Sequence, residues 1–214
     1  MEVTKSPFAG EPRAERPIDQ GTFPNAGAGD CAGLSWAMMA PVAKVIIRPA
    51  VPGDAGGIAR VCAEGWRDTY QDIYRPEEIE TVISDYYTPE RITAEIIAPE
   101  GWDGWIVAVE SGKVIGAGGG GMTDPGVGEI FVLYLDPTRR GEGLGSLLLD
   151  AITEQQRAQG AREQWVSVEP ENEKGLPFYL ARGFRVLGNR PAWGTRPEER
   201  RISLRLMRRL TRPA

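Results

Sequence analysis

The sequence predicts an α/β (α+β) domain, a mixed sheet covered by helices, and three observations carry the prediction. Apolar residues recur at three- and four-residue steps through most of residues 54–97. Short runs rich in β-branched and aromatic residues follow from residue 105. Some of those runs are joined by a tight turn and others by a helix-length segment, which calls for both antiparallel and parallel neighbours.

The elements justify that class in order. "AKVIIRPA" (43–50) is a short β-rich run ended by Pro49. Asp54 is placed to cap a helix in which Ile58, Val61, Cys62, Trp66 and Tyr70 form one stripe. "RPEEIETVISDYY" and "TPERITAEII" continue as helices, with Pro76 and Pro89 in their first turns. "WIVAVE" and "KVIGAGG" flank Ser111-Gly112, a two-residue hairpin signal, and Gly118 to Gly121 are expected at the loose or bulged end of that hairpin. "GEIFVLYL" (128–135) suits a buried central strand. Leu144, Leu148, Ile152 and Gln155 trace the next helical stripe, and Gly160 can end that helix. "QWVSVE", "FRVLG" and "RISLRLM" are the remaining strands, with "NEKGLPFYLARG" a short helix after the first of them. Pro177 should make that helix start late or irregularly.

Two domain-level segments are expected. Residues 1–43, rich in Pro, Gly and Ala without periodicity, read as a flexible extension, and residues 44–214 as the folded unit. The composition of the 214 residues narrows the chemistry. No histidine occurs, which removes His-dependent triads and His-containing zinc sites, and no metal is expected. No stretch approaches the ~18 uninterrupted apolar residues of a membrane span. Cys31 and Cys62 allow one bridge at most; Cys62 falls on an apolar helix face, so a reduced thiol and a cytoplasmic location are expected.

The net charge of −5 hides an asymmetry: residues 54–110 hold 13 acidic against 4 basic side chains, and residues 139–214 hold 15 basic against 9 acidic. A polyanionic ligand suits the second half and a cationic one the first. The basic tail is too short to indicate a nucleic-acid partner, and none is expected.

The segment "LDPTRRGEGLGSLLLDAI" (135–152) poses the functional question. Gly141, Gly143 and Gly145 stand at every second position where a helix should begin, although glycine is costly in regular structure. Small residues there let an anion approach backbone N–H groups at a helix N-terminus, and Arg139 and Arg140 add full charge. The ending Gly-Lys-Ser/Thr of a Walker loop is absent, and the glycine order differs from a dinucleotide fingerprint. On spacing alone a plain turn and a phosphate cradle both remain open.

Downstream, "VSVEPENEKGLPFYLARGFRVLG" carries Asn172, Phe178-Tyr179 and Gly183-Phe184. Taken with Arg140-Gly141-Glu142-Gly143-Leu144-Gly145, this closely resembles the GNAT superfamily of acyl-CoA-dependent N-acetyltransferases. Its pyrophosphate loop reads Gln/Arg-x-x-Gly-x-Gly/Ala. The resemblance covers about residues 44–210, most strongly 128–188. It implies a mostly antiparallel central sheet of about seven strands flanked by helices, and acetyl-CoA as cosubstrate.

The resemblance also implies roles. Pantetheine amides would pair with the central strand at Leu133, Tyr134 and Leu135, and a backbone N–H near Leu135 would serve the oxyanion. The pyrophosphate would rest on N–H groups from Arg140 to Ser146, with Glu142 directed outward. Asn172 would orient CoA or cap the following helix, beside Phe178. Tyr179 would protonate the departing thiolate, and Glu129 would act as general base, against the plainer reading of a hydrogen-bonded strand-end glutamate. The acceptor would be a primary amine of a small molecule or peptide. Trp66, Tyr70, Tyr74, Tyr86, Tyr87 and Trp193, with Asp68, Asp72 and Asp85 nearby in sequence, would suit a cationic one. The alternative is a non-catalytic acyl-CoA-binding regulator. A homodimer is compatible with either.

Overall fold

A computed structural model describes residues 44–192 and 201–210. The expected extension over residues 1–43, Cys31 and Trp193 lie outside the described residues.

The helices that open the fold follow their local signals. α1 (Ala55–Tyr70) buries Ile58, Val61 and Cys62 completely against the sheet. Asp54 does not cap it. Its carboxylate instead accepts from the Val51 backbone N–H at 2.8 Å and from both Arg48 guanidinium nitrogens, at 2.6 and 2.9 Å, tying the turn to the first strand. α2 (Pro76–Tyr86) and α3 (Pro89–Ile97) begin at their prolines, and the Thr88 hydroxyl accepts from the Arg91 N–H.

The sheet has seven strands: β1 (Ile46–Pro49), β2 (Trp105–Glu110), β3 (Lys113–Asp124), β4 (Val127–Leu135), β5 (Glu163–Val168), β6 (Arg185–Pro191) and β7 (Ile202–Arg209). Their spatial order is β1-β2-β3-β4-β5-β7-β6, and every neighbouring pair is antiparallel except β4 with β5. That parallel pair needs a crossover, which α4 (Leu144–Ala158) supplies, ending before Gly160 at φ 92°. Ser111 and Gly112, at φ 49° and 78°, close the β2–β3 hairpin as a two-residue turn with positive φ at both positions.

Gly118 to Gly121 mark the end of the β2–β3 ladder, bulged as expected and buried: β2 pairs only as far as Gly119, a register step against β4 falls between Gly119 and Gly120, and β3 runs on along β4 to Asp124. On α4 it is Gln156, not Gln155, that is fully buried with Leu148, Leu149 and Ile152.

Two apolar clusters fill the two faces of the sheet. One joins α1 and α3 to β2, β3 and β4; the other joins α4 to the sheet and to Tyr179 and Phe184. Each buried Leu or Ile contributes about 1.5–3 kcal/mol on removal from water. The short helix α5 (Gly175–Leu180) starts two residues before Pro177, so that proline sits in its first turn, where no intrahelical N–H is needed.

Candidate active site

β4 and β5 pair only from Val127↔Glu163 to Ile130↔Val166, and then they part. The cause lies in β4. Its register against β3 steps from Ile130↔Gly120 to Val132↔Gly119, leaving Phe131 as one extra residue. Such a bulge increases local twist and bends the strand. Gly120 makes room for it, since a Cβ there would stand 2.2 Å from the Glu129 carbonyl oxygen. The Gln156 side chain donates to that same carbonyl at 2.9 Å. The gap in the sheet is therefore built in, not frayed.

Two cavities occupy the gap and share a wall of Tyr70, Ile130, Phe131, Val132, Tyr134 and Ser167. The first has a volume of about 430 Å³. Leu133, Tyr134 and Leu135 line one side of it, Arg140, Gly141, Gly143, Leu144, Gly145 and Ser146 another, and Asn172, Phe178 and Tyr179 the third. Residues far apart in sequence thus meet as the motifs anticipated.

The three loop glycines have different reasons. Gly141 and Gly143 sit at φ 84° and 81°, where other residues are strained, and nothing would meet a Cβ on either. At Gly145 a Cβ would stand 3.0 Å from the Phe178 ring. The first turn of α4 leaves N–H groups without intrahelical acceptors. The Ser146 N–H is already bonded to the Gly143 carbonyl at 3.0 Å, so the donors free for an anion lie before it.

Charges around the loop divide into two sets. Glu142 points away from the cavity, and Arg139 binds it together with Glu110, so Arg139 is committed outside the loop. Arg140 lines the cavity and pairs with Asp68 of α1, which also takes the Lys174 ammonium at 2.7 Å. Burial works to raise the Asp68 carboxyl pKa, but Lys174 and Arg140 together outweigh it and hold the group below its usual range. Arg182, which the sequence reading missed, stacks on Phe178 at 3.7 Å from the ring centre and donates to the Ser146 hydroxyl. Lys174 was missed as well; both are single basic residues outside the glycine motif, with no spacing to mark them.

Asn172 accepts from the Gly175 N–H at 2.7 Å and the Lys174 N–H at 3.2 Å, holding the start of α5. Tyr179 is buried, its ring edge-on to Phe178 and Phe184. Burial pushes its phenol pKa up, keeping the hydroxyl protonated well above neutral pH.

The second cavity, about 300 Å³, lies on the α1–α3 side. Trp66, Tyr70, Tyr74, Tyr86 and Tyr87 all line it. Its carboxylates are not those anticipated. Asp72 and Asp85 are exposed and outside it, and Asp68 serves the first cavity; Glu95, Glu129 and Glu169 take their place. Glu129 is buried and gripped through both oxygens by Arg205, with Arg190 at 3.4 Å.

A seven-stranded mixed sheet, parted at its one parallel pair, with a glycine loop and a helix start at the parting, defines an α/β protein with a cleft between two strands. The Acetyltransferase (GNAT) family matches residues 64–184, more than half of the chain, and the chain belongs to that family, whose members use acetyl-CoA. Among relatives, a mycothiol acetyltransferase of Amycolatopsis mediterranei (strain U-32) is 29% identical over 167 residues, 72% of this chain. The chain spans about half of that protein's length, 51%. A spermidine N(1)-acetyltransferase of Thermoplasma acidophilum is 26% identical over 143 residues, 62% of this chain and 83% of that one. The crystal structure of the PaiA N-acetyltransferase from Thermoplasma acidophilum in complex with coenzyme A shares the fold with a TM-score of 0.67 at 24% identity, covering 78% of this chain and 99% of that one. No helix among the described residues is long and apolar enough to cross a membrane.

Proposed function

We propose that the chain transfers the acetyl group of acetyl-CoA to a primary amine by direct attack in a ternary complex. The observation that carries this reading is the edge of β4 past Ile130, which β5 has left and which faces the first cavity opposite the glycine loop. An extended pantetheine arm with two amides suits such an edge as an added strand would. The loop N–H groups, with Arg140, Lys174 and Arg182 on the cavity wall, suit the pyrophosphate. A solved structure of the same fold holds coenzyme A, and relatives are named for amine acetylation or for mycothiol.

Tyr179 stays protonated and lines the cofactor cavity, so it can give a proton to the thiolate that leaves the acetyl carbon. The adjoining aromatic cavity takes the amine, and the shared wall at Tyr70 and Phe131 is where the two substrates meet.

Two measurements test the reading. Acetyl-CoA at a hundredfold its Kd should stabilise the folded chain by about 2.7 kcal/mol, and less in Arg140→Ala. With an amine acceptor, Tyr179→Phe should lower kcat by about 10²- to 10⁴-fold and leave that stabilisation intact. Stabilisation without thiol release from any amine would favour the acyl-CoA-binding regulator. No stabilisation at all would overturn both readings.

A further inference from the structure

Of the three carboxylates lining the second cavity, two are already neutralised. Glu95 is held by Arg91 at 2.9 Å and accepts the Trp105 indole N–H at 2.9 Å; Glu129 is held by Arg205 and Arg190. Glu169 differs. It lies one residue past β5, where the sheet has opened, and accepts from the Tyr74 hydroxyl at 3.1 Å, with no ion pair among the described residues. Tyr74 belongs to a cluster of three rings on the cavity wall. Trp66 and Tyr70 lie 4.3 Å apart between centres, Tyr70 and Tyr74 5.4 Å, and Trp66 and Tyr74 6.1 Å. Electron-rich ring faces around an unneutralised carboxylate are the chemistry that receives an ammonium group. With Arg91 set against Glu95 and Arg205 and Arg190 against Glu129, Glu169 is the one lining carboxylate without an ion pair among the described residues.

From this we infer that Glu169 receives the acceptor's ammonium and takes its proton, and that the acceptor is a monoamine on an uncharged apolar body rather than a polyamine. The inference rests on the acetyltransferase reading above and names its acceptor site. The proton passes from R–NH3⁺ to the Glu169 carboxylate, leaving R–NH2 with a free lone pair. The nitrogen then bonds to the thioester carbonyl carbon, and the C–S bond breaks as the adduct collapses. The thiolate takes a proton from Tyr179, and the adduct's surplus N–H proton restores Tyr179. The products are the acetamide, free thiol, and one proton passed from Glu169 to water.

The groups facing Glu169 are compatible with that task. Burial holds its carboxyl above the ordinary carboxylate range, with Glu171 acting in the same direction and Tyr74 and Arg201 against it. Arg201 itself is committed to Glu78 at 3.2 Å and stacked over Tyr74 at 4.0 Å. Tyr70, which lines both cavities, joins Glu169 to the region of Tyr179.

The test compares phenethylamine with spermidine on the full chain, by thiol release and by calorimetric binding of phenethylammonium without cofactor. Phenethylamine should show a kcat/KM at least about tenfold above spermidine. Glu169→Gln should lower kcat/KM by about 10²- to 10⁴-fold, abolish the acidic limb of its pH profile and abolish phenethylammonium binding. Acetyl-CoA should stabilise Glu169→Gln as it does wild type, showing an intact fold and cofactor site. Tyr74→Phe, which keeps the carboxylate and the ring, should shift that acidic limb without abolishing phenethylammonium binding. Unchanged turnover in Glu169→Gln, preference for spermidine, or acetyl-CoA binding with neither amine acetylated would overturn the inference and leave the cofactor site standing. Absence of acetyl-CoA binding would remove the function itself.

Discussion

Glu129 shows how a side chain's neighbours decide its role. At the start of a central strand a glutamate is a reasonable proton acceptor, yet here both oxygens face Arg205, and Arg190 stands beside it. A carboxylate so engaged is better suited to holding β4, β6 and β7 together at the mouth of the acceptor cavity. Replacing it would leave the partly exposed Arg205 and the exposed Arg190 without their carboxylate. Glu129→Gln should therefore cost about 1.5–3 kcal/mol, read as a lower denaturant midpoint at unchanged m. Arg205 lies 76 residues away in sequence, so no spacing rule joins the pair. Tyr179 is a different case: its motif marks it in the sequence, it lines the first cavity, and burial keeps its hydroxyl protonated.

At the level of elements, the bulge in β4 sets the geometry of both cavities. Gly120 faces the strand where the extra residue Phe131 is accommodated, and a methyl group there would strike backbone as well as the Gln156 amide. Gly120→Ala should destabilise the fold by about 1–3 kcal/mol or more, because the clash is with atoms that cannot swing aside. Gly56 in the first turn of α1 is a control, since nothing lies within 4 Å of a Cβ there. Gly56→Ala should instead stabilise by about 0.4–1 kcal/mol by narrowing the unfolded ensemble. Thermal melting of the two variants beside wild type checks both signs.

Across the whole molecule, the uneven charge along the chain becomes internal pairing between its two halves. Asp68 bridges α1 to Arg140 and Lys174, Glu78 of α2 meets Arg201 before β7, and Tyr74 reaches Glu169 past β5. Asp68, Glu78 and Glu110 of the acidic half therefore pair with cations of the basic half inside one domain. These pairs make stability depend on acid. Hydrogen bonds from the Arg75 side chain and backbone, with Arg201 nearby, lower the Glu78 pKa from 4.5 to about 2. The folded chain then binds fewer protons than the unfolded chain, so this contribution is full above about pH 4.5 and is lost as pH falls through about 2. Denaturant titrations across that window should show the loss in wild type and a weaker dependence in Glu78→Gln.

The sequence by itself determined the element order, the β2–β3 hairpin and the glycine loop leading into α4, because each depends on contacts within a few residues. It also marked Asn172, Phe178 and Tyr179 beside that loop, since a motif of fixed spacing survives without knowledge of the fold. It marked Gly118 to Gly121 as the bulged end of the hairpin but not why glycine is needed there, because mid-strand glycines answer to what crosses them, here Trp102, Leu133, Gln156 and the Glu129 carbonyl. Only the tertiary structure decided which carboxylate is free. Glu95, Glu129 and Glu169 are alike in sequence, and they differ because arginines from α3, β6 and β7 pair with the first two, while among the described residues the third accepts a hydrogen bond from Tyr74 and forms no ion pair. Charge compensation is a property of space, and the chain acquires it only when its distant segments meet.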